Sequence, residues 1–93
     1  MRIVATTPVQ DCFDGSTVFT YWFDTVWTPD LVQVLRCLGE LEYFSDFPRP
    51  FFRLRCGSGL QVKGVVGEDN CQVILPRAER EVIRESFERC FAP

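Results

Sequence analysis

The sequence predicts an α+β fold: an antiparallel sheet of four to six strands with two helices packed on one face, forming one domain over residues 1–93. Three observations carry this. Residues 51–75 hold three short apolar segments separated by glycine-bearing turns, the pattern of a three-stranded meander. Two other segments, opening at Thr28 and Pro76, carry helix-start signals ahead of apolar stripes. A length of 93 residues leaves room for one core, and 46% hydrophobic against 25% charged residues is far from a disordered composition.

Taken in order, Arg2 to Thr6 reads as a short edge strand, and Asp11-Cys12-Phe13-Asp14-Gly15 as a turn with Asp and Gly in their usual places. That turn is no calcium loop, because the twelfth position counted from Asp11 is Trp22 rather than Glu. Ser16 to Phe23, rich in β-branched and aromatic residues, is a strand. Thr28 caps a helix with Pro29 in its first turn; Leu31, Val34, Leu35 and Leu38 form its buried stripe, and Gly39 ends it. Leu41 to Phe47 is a further strand, turning at Pro48-Arg49-Pro50.

The meander follows. Phe52, Leu54 and Cys56 alternate with Arg53 and Arg55, Gly57-Ser58-Gly59 turns the chain, and Leu60 to Val66 returns. Residues whose numbers sum to 116 then pair, so Leu54 faces Val62 and Phe52 faces Gly64. A second hairpin through Gly67-Glu68-Asp69-Asn70 is expected to pair residues summing to 137, with Cys71, Val73 and Leu75 beside Val66, Gly64 and Val62. Pro76 suits a helix's first turn, and Arg77 to Phe91 places Ile83, Phe87 and Cys90 on one stripe, with Arg84–Glu88 and Glu85–Arg89 spaced for i,i+4 pairing. The strand–helix–strand–strand order after the edge strand leaves a ferredoxin-like core open, although the last strand of that pattern is missing.

Absences narrow the chemistry. There is no histidine, which removes Ser-His-Asp and Cys-His arrangements and the side chain most used for proton transfer near neutral pH. Lys63 is the only lysine, and no glycine-rich phosphate loop exists. A non-enzymatic role is expected. The longest uncharged run is the nine residues Gly15 to Phe23, against roughly 20 for a membrane helix, and the apolar run at Ile3-Val4-Ala5 is too short for a signal peptide. Five cysteines, at 12, 37, 56, 71 and 90, form no Cys-x-x-Cys pair and are odd in number, which suits reduced, buried thiols in a cytoplasmic protein. Cys56 and Cys71 should lie roughly 20 Å apart along the sheet, too far to share a metal. A Cys71–Cys90 contact is expected, with core packing as its meaning. No cofactor is expected.

The positive feature is the second face of the meander. Phe51, Arg53 and Arg55 share a parity and stand opposite Val65, Lys63 and Gln61; with Arg49, four cations precede any carboxylate in this stretch. Residues 1–48 carry a net charge of −5 and residues 49–93 carry +2. Tyr21, Trp22 and Trp27 belong to an aromatic segment whose two strand faces both look apolar, as in a strand covered on both sides or one whose second face a partner buries. The leading expectation is a protein-interaction module (a regulator, inhibitor or accessory subunit) docking a protein partner or a second copy through Arg49, Phe51, Arg53, Arg55 and Lys63, with Tyr21, Trp22 and Trp27 contributing. The alternatives are single-stranded nucleic-acid binding on the same face, which the acidic overall charge disfavours, and a thiol redox or metal protein. The plainest account is that arginine stems merely cover exposed sheet surface.

Overall fold

The computed structural model describes residues 1–11, 13 and 15–91. Along them run β1 (Ile3–Asp11), β2 (Thr17–Phe23), α1 (Pro29–Val34) with a 3-10 turn continuing it (Leu35–Cys37), β3 (Glu40–Phe44), β4 (Phe51–Arg55), β5 (Gln61–Val65), β6 (Asn70–Leu75) and α2 (Arg80–Arg89). The strands form one sheet in the order β1-β2-β6-β5-β4-β3, and every neighbouring pair is antiparallel. The expected α+β architecture is therefore present, with six strands, the upper end of the four to six expected. Three strands separate β2 from β3, which α1 joins, a wider crossover than the split unit of a ferredoxin-like core. The radius of gyration is 12.6 Å, against about 12 Å expected for this length.

Strand alternation divides the side chains. Tyr21, Phe23, Phe52, Leu54, Val62, Cys71, Val73 and Leu75 point to one face and are buried. Val32 and Leu35 of the first helical segment and Ile83 and Phe87 of α2 close over that face in the same cluster. Its centre is aromatic: Trp27 packs 4.8 Å from Phe52 and 5.4 Å from Phe23, and Phe87 meets Tyr21 at 5.2 Å in an edge-on contact. Both helices lie on this face, so the other face of the sheet is left uncovered among the described residues.

Local departures from the expected boundaries have identifiable causes. β1 continues through Pro8 to Asp11 instead of stopping at Thr6, because it is an edge strand and register shifts after Ile3 and Pro8 absorb the irregularity. The expected turn over Asp11–Gly15 includes Cys12 and Asp14, which lie outside the described residues.

Thr28 caps α1 as expected, its Oγ1 accepting from the Leu31 amide at 3.2 Å. The buried stripe differs: Val32 is fully buried while Val34 is 50% exposed. After six residues the helix tightens into the 3-10 turn, whose three-residue period rotates the stripe. Gly39 is needed for close approach, since a Cβ there would sit 2.5 Å from the Arg55 carbonyl oxygen.

The first hairpin keeps the register sum of 116, with Leu54 opposite Val62 and Phe52 opposite Gly64. The second pairs residues summing to 135 rather than 137: Val62 meets Val73 and Gly64 meets Cys71. A two-residue slip leaves every side chain on its expected face. Hydrogen bonds from outside the hairpin account for it, since the Val66 amide donates to Pro50 and the Gly67 amide to Trp27, both carbonyls 2.8–2.9 Å away. Val66 is thereby drawn into the loop. α2 starts at Arg80 instead of Arg77, behind Glu79 at φ 57°. Pro76 is held against Gly59 and Arg77 against Gly15, so neither is free to enter the helix.

Candidate functional site

The uncovered face is a ladder of three rows running across the strands. In the middle row, Thr7, Thr20, Gln72, Lys63, Arg53 and Glu42 stand side by side. A second row runs Val18, Ile74, Gln61, Arg55, Glu40. The third joins Trp22 to Asn70 at one end and Val65, Phe51 and Phe44 at the other. Between the aromatic end and the lysine lies a groove of about 590 Å³, lined by Phe44, Phe51, Arg53, Lys63, Val65 and Gln72 among others. That volume falls in the range of small-ligand clefts.

The aromatic end is ordered by ring contacts. Phe44 and Phe51 stack at 4.6 Å with an 18° tilt, and Phe47, 53% exposed, leans on Phe51 at 5.1 Å. The Arg53 guanidinium lies 6.0 Å from the Phe44 ring centroid, at the outer limit of a cation–π contact. Its Nε and Nη2 both donate to Glu42 Oε1, at 3.2 and 3.0 Å. Arg49 pairs with Glu68, and Glu40 stands directly across from Arg55. Four cations thus meet three carboxylates, and the surface is mixed in sign with a slight positive excess. Lys63 has no ion pair among the described residues.

Of the eight residues expected here, Phe51, Arg53, Arg55, Lys63 and Trp22 share the uncovered face, and Arg49 stands at its rim through the pair with Glu68. Tyr21 and Trp27 do not belong to it. Tyr21 has the opposite parity to Trp22, is fully buried, and donates its hydroxyl to Glu88 Oε1 at 3.2 Å. Trp27 lies beyond the strand and folds under the sheet, its Nε1 donating to the Asn70 carbonyl at 3.1 Å. β2 is covered by this chain on one side only, and Trp22, 38% exposed, marks the other side.

Sequence reasoning missed the carboxylates on this face. Glu40 and Glu42 alternate with Leu41 as Arg53 and Arg55 alternate with Leu54. Opposite charges at matched parity were the available signal for a β3–β4 pair.

The cysteines, expected to be mostly buried, are not uniformly so: Cys37 is exposed, and Cys56 and Cys90 are half-buried. Cys71 is buried beneath β6, where burial pushes its thiol up to about 12. Cys90 is half-buried and packs against the core cluster that contains Cys71. Among the described residues no group of three or more His, Cys, Asp or Glu side chains is arranged to hold a metal ion. Among the described residues no helix is long and apolar enough to cross a membrane. No family model, curated protein or solved structure matches this chain.

Proposed function

We propose that the protein is a non-enzymatic interaction module that docks a protein partner on its uncovered sheet face, as a regulator, inhibitor or accessory subunit. One observation carries the proposal: both helices pack on the same side of a six-stranded sheet, leaving the other side with Trp22, Phe44, Phe47 and Phe51 partly exposed around Arg53 and Lys63. Aromatic side chains and arginine are the types enriched where protein surfaces meet, and a mixed-charge patch selects its partner by complementarity. Single-stranded nucleic acid is the weaker occupant, because a polyanion needs a run of uncompensated cations and here Glu42 and Glu68 engage two of the four.

The test compares proteins recovered with a tagged chain and with surface variants of it. Arg53→Glu combined with Arg55→Glu, and separately Lys63→Glu, should lose a partner that the native chain retains. Glu85→Lys, on the exposed side of α2, should keep it. Circular dichroism and melting verify that each variant is folded. Retention of the same partner by folded Arg53→Glu/Arg55→Glu and Lys63→Glu proteins would remove the face from consideration.

A further inference from the structure

The sheet ends in two edge strands, β1 and β3, and they are not equivalent. An edge strand presents unpaired backbone N–H and C=O groups to any chain that can lie extended beside it. β1 is blunted: register shifts at Val4 and Val9 interrupt its ladder, and Pro8 has no amide hydrogen to donate. β3 carries neither a register shift nor a proline, and it pairs residue for residue with β4 from Glu40 to Phe44. Among the described residues its backbone bonds to β4 alone, which leaves its outward amides and carbonyls without a protein partner.

The side chains of β3 define what fits beside it. On the core side, Leu41 and Tyr43 pack against the buried cluster yet stay half-buried, because the sheet ends at them. Apolar side chains on an added strand complete that burial through cross-strand contact. On the other side Glu40 and Glu42 are exposed. Glu40 has no ion pair among the described residues, and Glu42 keeps 44% of its side chain in solvent beside Arg53. The chain's net charge of −3 adds a general attraction for a basic segment. β4 already shows the matching pattern, with Arg55 opposite Glu40, Leu54 opposite Leu41, Arg53 opposite Glu42 and Phe52 opposite Tyr43. A second copy of β3 does not match. Laid antiparallel in full overlap it sets Glu42 against Glu42, and like charges directly opposite are destabilising.

We propose that β3 is a strand-addition site for a basic protein segment, one in which arginine or lysine alternates with apolar residues and which joins the sheet antiparallel beside Glu40–Phe44. Main-chain hydrogen bonds to the outward groups of β3 hold the segment, and alternate side chains select it. Its cations face Glu40 and Glu42, and its apolar residues cover Leu41 and Tyr43. The site needs the edge of the sheet and makes no use of Lys63 or Trp22, so it stands or falls separately from the docking face.

The probe is a fluorescent peptide carrying Phe-Arg-Leu-Arg between serines, titrated into the full chain by anisotropy and followed by amide NMR. Binding should saturate, with the largest amide shifts and the slowest hydrogen exchange along Glu40–Phe44. Glutamate in place of both peptide arginines reverses two cross-strand charge pairs and should weaken binding about tenfold or more. Of two peptides N-methylated on alternate amides, the one whose methyl groups face β3 should fail to bind and the other should bind. Glu40→Gln combined with Glu42→Gln should weaken binding in a chain that circular dichroism shows to be folded, and Lys63→Glu should leave it unchanged. Absence of saturable binding to the native chain overturns the proposal. So does equal binding of the two methylated peptides, or a set of shifts centred on β1 or on Lys63 and Trp22.

Discussion

Replacing Gly64 with alanine tests whether the meander's core is as tightly packed as its register implies. A Cβ at Gly64 would meet the Phe52 ring at 2.5 Å (Cζ) and 2.7 Å (Cε1), with Cys71 Cβ at 3.3 Å. Carbon atoms rest at about 3.5–4.0 Å, so the ring must move by about 1 Å. It has little space to do so, since Phe52 is 1% exposed and packs 4.8 Å from Trp27. Overpacking of this kind costs about 1–3 kcal/mol. Alanine also restricts the unfolded chain, an opposing effect of about 0.4–1 kcal/mol. The expected net loss is about 1–2 kcal/mol, or a fall in melting temperature of about 4–16 °C for a domain this size. Urea unfolding followed by tryptophan fluorescence measures it, since Trp27 moves from the core to water. Phe52→Leu in the Gly64→Ala background should recover part of the loss, giving a coupling of at least about 0.5 kcal/mol in the double-mutant cycle. A Gly64→Ala protein within about 0.5 kcal/mol of the native one, or strictly additive effects, would refute the reasoning.

Tyr21 makes stability depend on alkaline pH. Burial first, then the Glu88 carboxylate, push its phenol from 10 to about 12, so its contribution is complete below pH 10 and is lost as pH rises through about 12. Tyr21→Phe should remove that loss. Buried Cys71 acts with the same sign in both proteins, so the difference between their stability curves is what reports Tyr21; curves that stay parallel above pH 10 would exclude it. Thr28→Ala should cost about 1 kcal/mol in urea unfolding by removing the cap on the Leu31 amide, and Thr28→Ser should restore most of it.

The meander was legible because two local rules agreed. Period-two patterning placed Phe52, Leu54, Val62 and Val73 on one side, and the glycine turn at residues 57–59 set the pairing that puts Phe52 over Gly64. The same parity placed Phe51, Arg53, Arg55 and Lys63 together on the other side. The register of the second hairpin was not legible, because bonds to the Pro50 and Trp27 carbonyls decide it and those residues are remote in sequence. Tyr21 and Trp27 were misplaced for related reasons. An aromatic strand apolar on both sides does not announce which face is covered, and Trp27 lies past the strand where alternation no longer applies.

The sequence by itself determined the meander's strands, their two faces and the Thr28 cap, since backbone geometry links alternation and capping to neighbouring residues alone. Only the tertiary structure decided strand order, because α1 carries the chain across three intervening strands before β3 joins the edge. That crossing brings Glu40 and Glu42 beside Arg55 and Arg53, turning an expected basic patch into one of mixed charge.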